Sequence, residues 1–440
     1  MSRIARKDVF THYTRRLRQI DPIVQIGRIY QIVGMIMESV GPQVSLGDLC
    51  RIRPQNGQTE GRAEVVGFRE NKILLMPLND MSGYSPGSEV IATHEDLSIE
   101  TGEDLLGRVL NGLGEPIDGK GPLKGTERRS IYQMPPNPLQ RIPIRTPIAT
   151  GVKAIDGLIT LGQGQRLGIF AGSGVGKSVL LGMIAKNTSA DVNVIALIGE
   201  RGREVREFIE RDLGDEGLRR SVVVAATSDT SPLVRIKGAF TATTIAEFFR
   251  DQGFNVLLMM DSVTRVAMAQ REIGLAVGEP PATKGYTPST FTLLPRLLER
   301  AGNFPQGSIT GLYTVLVEGD DLNDPIADSA RSILDGHVVL SRELANRGHY
   351  PAIDPLQSVS RVMSDVAERN HLMKAREFLQ LLSVYREAED LINIGAYVKG
   401  TNPKIDQAIE KIDALNAFLR QEVDERTDFQ EIVSQLTQLF

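Results

Sequence analysis

Ala171-Gly172-Ser173-Gly174-Val175-Gly176-Lys177-Ser178 decides how this chain is read. An apolar run, Leu167-Gly168-Ile169-Phe170, precedes it, and a helical pattern, Val179, Leu180, Met183 and Ile184, follows. Strand, glycine loop and helix in that order are the setting of a phosphate-binding loop. Backbone N–H groups wrap a β-phosphate there, and the helix N-terminus adds the positive end of its dipole. Glycine permits both the loop conformation and the close approach. The binding set is therefore Gly172, Ser173, Gly174, Val175, Gly176, Lys177, Ser178 and Val179. Lys177 is placed to reach the β- and γ-phosphates and Ser178 to ligand Mg²⁺. The full pattern opens with Gly where this chain has Ala171, a mild change because the later glycines and the Lys-Ser pair stand. A nucleoside triphosphate with its metal is the implied ligand.

Composition bounds the rest. A chain of 440 residues predicts about three domains. Hydrophobic content of 41% and charged content of 24% are those of a globular protein. A net charge of −5 excludes a general polyanion-binding surface. The single cysteine, Cys50, excludes an intrachain disulfide framework and fits a reducing compartment. No apolar run approaches the ~18 residues of a membrane span, and the N-terminus lacks the apolar core of a signal peptide. The expectation is a cytoplasmic protein.

Charge is uneven at the start. Residues 1–20 hold Arg3, Arg6, Lys7, Arg15, Arg16 and Arg18 against Asp8, with Phe10, Tyr13, Leu17 and Ile20 at helical spacing. A basic amphipathic helix over 1–22, able to lie on an anionic membrane or dock on a partner, is one reading; a solvated terminus is the other.

Residues 23–95 read as a small β-barrel. Ile23 to Ile26 and Ile29 to Ile36 are apolar runs broken by Gly27 and Gly34, and Ala63 to Met76 reads as a hairpin turning at Arg69-Glu70-Asn71. Barrels of this kind can hold single-stranded nucleic acid on aromatic platforms, but aromatics are sparse here. Residues 96–145 are turn-rich connectors. From about 150 to 350 near-continuous apolar runs at 166–170, 192–198, 221–227, 255–260, 308–317 and 337–340 alternate with helices such as Thr243 to Arg250. This predicts a doubly wound α/β core with a mostly parallel sheet, within an ATPase domain at 96–364. From 365 to 440 the pattern is helical, over Met373 to Glu389 and Ile405 to Leu419. Ile405, Ile409, Ile412 and Leu419 share one face there, and Phe429, Val433, Leu436 and Phe440 continue it.

Hydrolysis needs more than a phosphate loop. A second acid must help hold the metal, a group must orient water, and cations must stabilise the transition state. The apolar run Asn255 to Met260 ends at Asp261, and an acid at the carboxyl end of such a strand faces the ligand crevice. Glu200 ends the run Val192 to Gly199, where a carboxylate can polarise a water in line with the γ-phosphate. Arg201 beside it, and Arg265 one turn past Asp261, can add positive charge. Exposed i,i+4 pairing, such as Arg203 with Glu207, is the competing reading for charges in this stretch.

These residues reach a family. The chain resembles the hexameric rotary ATPases with RecA-like cores and, within them, the flagellum-specific ATPases of type III protein export. The resemblance covers nearly the whole chain. It rests on Gly107 to Val109 and Leu113 to Gly119, Thr150 to Asp156, the phosphate loop, Gly199 to Val205, Asp261 to Arg265, Tyr350 to Leu356 and Ser358 to Arg361. It implies that Glu200 is the catalytic glutamate, with Arg201 and Glu204 beside it. Ser178, Asp261 and Glu204 are the implied metal-site residues, and Arg265 a γ-phosphate contact. Tyr350 resembles the aromatic that stacks on adenine, and Arg361 the arginine finger given to the neighbouring subunit. ATP and Mg²⁺ are the implied cofactors.

Glu200 is absent from the non-catalytic subunits of rotary synthases. Gly202, the run Val205-Arg206-Glu207-Phe208 and Gly400-Thr401-Asn402-Pro403 separate this chain from the catalytic synthase subunit. Ala267 to Gly274 and Gly285 to Ser289 resemble the flagellar rather than the virulence branch. The resemblance further implies a homohexamer at the inner face of the cell membrane, with segment 279–302 bearing a loop toward the central pore. A stator-like negative regulator, a coiled-coil central stalk protein, export chaperone–substrate complexes and a membrane export gate are the implied partners. A ring helicase or transcription terminator would need a basic or aromatic nucleic-acid surface, which the sequence lacks. A non-hydrolysing scaffold would not need Glu200, Arg265 and Arg361 together.

Overall fold

The computed structural model describes residues 25–55, 59–80, 82–317 and 324–440. It divides into two compact units between Leu97 and Ser98. The basic segment expected over 1–22 lies outside the described residues.

The first unit is the expected barrel, closed in the order β1-β2-β5-β4-β3-β6 from β1 (Ile26–Val33), β2 (Ile36–Val40), β3 (Leu49–Arg53), β4 (Gly61–Arg69), β5 (Lys72–Pro77) and β6 (Glu89–Ala92). Period-2 alternation puts Ile29, Met37, Cys50, Ile52, Leu75 and Val90 inside. Gly34 makes the β1–β2 turn at φ 57°. Gly27, expected to break the first run, instead lies within β1, where a Cβ would stand 1.9 Å from the Gly41 carbonyl oxygen and only glycine fits. β4 and β5 form the predicted hairpin.

The second unit, Ser98–Phe440, carries the α/β core. Its main sheet comprises β7 (Val109–Asn111), β8 (Arg166–Ala171), β9 (Val192–Ile198), β10 (Ser221–Ala226), β11 (Asn255–Asp261), β12 (Gly302–Asn303), β13 (Ser308–Leu316), β14 (Gly336–Leu340) and β15 (Ile353–Ser360). The strand order is β15-β14-β8-β13-β11-β9-β10-β7, with β12 beside β13. Pairing is parallel throughout except for β14 with β15 and β12 with β13. Every residue of β9 and β10 is buried, as a sheet covered on both faces requires. Three strands of this sheet lie outside the expected runs, the two-residue β12 among them. β7 comes from the region read as connectors and continues the sheet beyond β10; Arg108 beside it is held by Asp118 through hydrogen bonds of 2.7 and 3.0 Å. β15 turns antiparallel on the opposite edge.

Some of the helices carry side-chain caps and others do not. α1 (Lys153–Leu158) precedes β8, α2 (Lys177–Asn187) follows the phosphate loop, and α3 (Gly202–Glu207) follows Glu200. α4 (Pro232–Asp251) is far longer than the Thr243–Arg250 expected. Ser231 caps its N-terminus and Pro232 takes its first position, a start signal that the apolar pattern alone does not show. α5 (Val263–Val277) starts on a Ser262 cap and ends at Gly278. α6 (Pro288–Leu298) occupies much of 279–302, the segment expected to bear a pore-facing loop.

The C-terminal helices are α7 (Arg369–Asn393), α8 (Pro403–Leu419) and α9 (Phe429–Gln438). On α8 the buried stripe is Ala408, Ile412, Leu415, Phe418 and Leu419, while Ile405 and Ile409 are only half-buried. The expected face was thus rotated slightly from the one used. On α9, Ile432 and Leu436 are buried, Phe429 and Val433 stand at the margin, and Phe440 just past its end is half-buried. These helices close on α1, where a Cβ at Gly157 would sit 2.8 Å from Phe418. Among the described residues no helix is long and apolar enough to cross a membrane.

Candidate active site

The phosphate loop leaves β8 and enters α2 at Lys177. Gly174 and Gly176 have φ of 79° and 88°, where a side chain is strained. Ala171 is the last residue of β8, and its methyl is buried in the core. The departure at that position is therefore absorbed by packing on the far side of the loop.

β13 lies between β8 and β11, and this order brings the charges together. The Lys177 ammonium donates to the Asp261 carboxylate and lies 3.5 Å from Glu200 Oε1. Asp261 is 3% exposed, and its Oδ1 also accepts from Thr314 Oγ1 on β13 at 2.7 Å. The sequence does not single out Thr314, because Ser308 and Thr310 stand in the same run.

Arg265, in the first turn of α5, aims at the same cleft. A Cβ at Gly199 would stand 2.9 Å from Arg265 Cβ, so the glycine is what lets this side chain lie across it. Arg265 Nε is buried with no hydrogen-bond partner. An unmade hydrogen bond on a buried charged group is costly, so the site is built for an anion.

Burial raises the Glu200 carboxyl above its ordinary value, against the pull of Lys177, and a hydrogen bond to Glu204 adds to the rise. Burial acts the same way on Glu204, but the bond to Glu200 and the charge of Arg201 hold it below the ordinary value. Arg201 Nη1 reaches Glu204 Oε1 at 3.0 Å and is largely exposed at the rim, and Arg203 pairs with Glu207 at 2.7 Å. The cleft encloses about 630 Å³ between the phosphate loop, Glu200, Arg201, Glu204 and Arg265.

Among the described residues no three acids, histidines or cysteines gather into an all-protein metal site. Glu204, expected with the metal, is turned to Arg201 and Glu200. The hydroxyl of Ser178 and the carboxylate of Asp261 remain as hard oxygen donors, the small protein share that Mg²⁺ takes when phosphates supply the rest.

A second cavity of about 350 Å³ adjoins the loop. Its floor is one face of the loop and α2, with Gly176, Val179, Leu180 and Met183, and Tyr350 lines one wall. The Tyr350 ring lies against Gly176, 3.5 Å from where a Cβ would stand. Tyr350 is 48% exposed, as an aromatic awaiting a flat apolar partner would be.

Arg361 does not join this cleft. It is exposed just past the end of β15, with its N–H on the Asp335 carbonyl at 3.0 Å and its Nη2 on the Arg331 carbonyl at 3.4 Å.

Barrel, nucleotide cleft and helical bundle in this order define a class, the ATP synthase alpha/beta family. Its β-barrel domain matches residues 29–94 and its nucleotide-binding domain residues 151–360, and the T3SS EscN ATPase C-terminal domain matches 367–438. The flagellum-specific ATP synthase of Bacillus subtilis (strain 168) is 57% identical over 425 residues, 96% of this chain and 97% of that protein. The type 3 secretion system ATPase of Xanthomonas euvesicatoria is 52% identical over 411 residues, 93% of each. The assembled ATPase EscN, solved with its central stalk EscO from the type III secretion system of enteropathogenic E. coli, matches with a TM-score of 0.86. Its identity is 46%, over 94% of this chain and 99% of that one. The chain belongs to the family of flagellum-specific ATP synthases and type 3 secretion system ATPases.

Proposed function

We propose that this chain hydrolyses ATP to energise flagellar type III protein export. The observation that carries the reading is the meeting of Lys177, Glu200, Asp261 and Arg265 at one phosphate loop. Lys177 exchanges its carboxylates for the β- and γ-phosphates when nucleotide binds. Glu200, freed of that contact and raised by burial, accepts the proton of a water directed at the γ-phosphate. Arg265 turns its unpartnered Nε to the developing charge. Glu204 orients Glu200, and Arg201 adds positive charge at the rim. Mg²⁺, held by Ser178 and through water by Asp261, would neutralise charge on the β- and γ-oxygens. Tyr350 stacks on adenine.

Arg361 cannot serve the cleft of its own chain from where it stands, which supports its use by a neighbour. The working unit is then a homohexamer with sites between subunits. An arginine finger is worth about 10³–10⁵ in rate, so an isolated subunit turns over poorly. The complex of EscN with EscO supports a coiled-coil stalk in the ring. A stator-like negative regulator, chaperone–substrate complexes and a membrane export gate complete the reading, with the protein cytoplasmic and peripheral to the inner face of the membrane.

The virulence branch is the second reading, carried by 52% identity to a type 3 secretion system ATPase, although a flagellar relative stands higher at 57%. The test is Glu200→Gln in the native gene, with filament protein in the medium and swimming as readouts. Loss of both, with other secretion intact, is expected. Unchanged filament export overturns the flagellar reading in favour of the virulence route.

A further inference from the structure

The far wall of the cavity beside Tyr350 comes from a distant part of the chain, Arg420 to Val423, which follows α8. Gln421 in this stretch is 6% exposed, and a buried amide needs all its partners. It has them. Its Oε1 accepts from the Lys153 N–H at 2.9 Å, and its Nε2 donates to the Gly151 carbonyl at 2.8 Å and the Glu425 carbonyl at 3.1 Å. Its own N–H donates to the carbonyl of Tyr350 at 3.0 Å.

The anchor it grips is stiff. Asp156, fully buried, accepts from the N–H groups of Thr150 and Gly151 at 2.9 and 2.8 Å and from the Thr150 hydroxyl at 2.7 Å. A Cβ on Gly151 would stand 2.3 Å from Asn187 Cβ, so this turn also abuts the last residue of α2. Gly176, at the first end of α2, carries the Tyr350 ring. One residue thus reaches both ends of the helix, its side-chain amide tied to the turn that touches Asn187 and its main-chain N–H to the tyrosine that lies against the phosphate loop.

We infer that Gln421 is a positioning residue for the nucleotide base, fixing both the backbone of Tyr350 and the opposing wall. The inference rests on the reading of Tyr350 as the base-stacking residue. Gln421 touches neither phosphate nor attacking water, so its loss falls on nucleotide affinity and not on the chemical step. It also links the helical bundle to the base, since any shift of α8 against α1 pulls on this amide.

The experiment uses the full chain and compares Gln421→Met, which keeps volume and removes the side-chain hydrogen bonds, with Tyr350→Ala. KM and kcat for ATP are measured beside inhibition by inorganic pyrophosphate, which occupies the phosphate loop and has no base. Gln421→Met is expected to raise KM about tenfold, the scale of a lost buried hydrogen bond, with kcat and pyrophosphate inhibition held. An unchanged KM overturns the inference. Equal weakening of ATP and pyrophosphate also overturns it, because that marks general loosening. If Gln421→Met does not fold, Gln421→Glu is judged on the same readouts, since it keeps the acceptor for Lys153 and loses the donors. A raised KM in Tyr350→Ala with none at Gln421 defeats this inference alone. An unchanged KM in Tyr350→Ala defeats the base-pocket reading and the inference with it.

Discussion

Lys177 Nζ lies 3.5 Å from Glu200 Oε1 while donating to Asp261, so the cation proposed for phosphate is held by the groups proposed for water and metal. Without nucleotide this pairing offsets the charge of two largely buried carboxylates. On the proposed reading, nucleotide entry draws Lys177 toward the phosphates and leaves Glu200 free to act as a base. The same contacts thus stabilise the cleft at rest and arm it on binding.

Arg361 stands outside its own cleft, and its removal should act between subunits. Arg361→Ala is expected to abolish the rise of specific activity with protein concentration and to lower the plateau by about 10³ or more. Activity that stays concentration-dependent and near wild type would show that another group supplies the finger.

Thr314 fixes Asp261 by a 2.7 Å bond from a neighbouring strand. Thr314→Val keeps the shape and removes the bond, a loss of about 1 kcal/mol. Half-saturation by Mg²⁺ in the ATPase assay should rise about fivefold, with the thermal transition little changed. An unaltered Mg²⁺ requirement would sever Thr314 from the site.

Gly199 admits Arg265 to the cleft at a backbone φ of 75°. Gly199→Ala should cost about 1–2 kcal/mol in stability from the conformation alone. It should also lower kcat at least about tenfold by displacing a charge-stabilising donor. Wild-type turnover in a folded Gly199→Ala protein would show that Arg265 does not work from this position.

Asp156 gives a pH signature. Full burial lifts its carboxyl from an ordinary 3.8 to about 6, against the donors of Thr150 and Gly151. Between those values the unfolded chain releases the proton and the folded chain keeps it. Stability from this group is therefore complete below about 4 and is lost as pH rises through about 6. Denaturant titrations of wild type and Asp156→Asn should show a difference that shrinks over this window and then levels. A difference that grows with pH would mean the carboxylate is charged in the folded state.

Much of this was legible in the sequence, because the signals were local. The phosphate loop, the strand ending at Asp261 and the strand before Glu200 each lie within about ten residues, and buried parallel strands announce themselves as apolar runs. Tyr350 and Arg361 were reachable only through family resemblance, since neither sits in a pattern with a chemical meaning of its own. Thr314 and Gln421 were not reachable. Their partners lie 53 and 270 residues away in the chain, and only the strand order and the return of α8 bring them together. The short reading of α4 had another cause. Nearly the whole helix is buried on all sides, so amphipathic periodicity fails along it and the Ser231-Pro232 cap is the better guide to its start.

The most direct test of the central claim is ATP turnover by purified Glu200→Gln beside ATP binding by the same protein. The substitution keeps size and hydrogen bonding and removes the base. Binding should stay close to wild type while turnover falls by about 10²–10⁴, the usual worth of a positioned base. Turnover within a few fold of wild type would contradict the account and remove Glu200 from the chemistry.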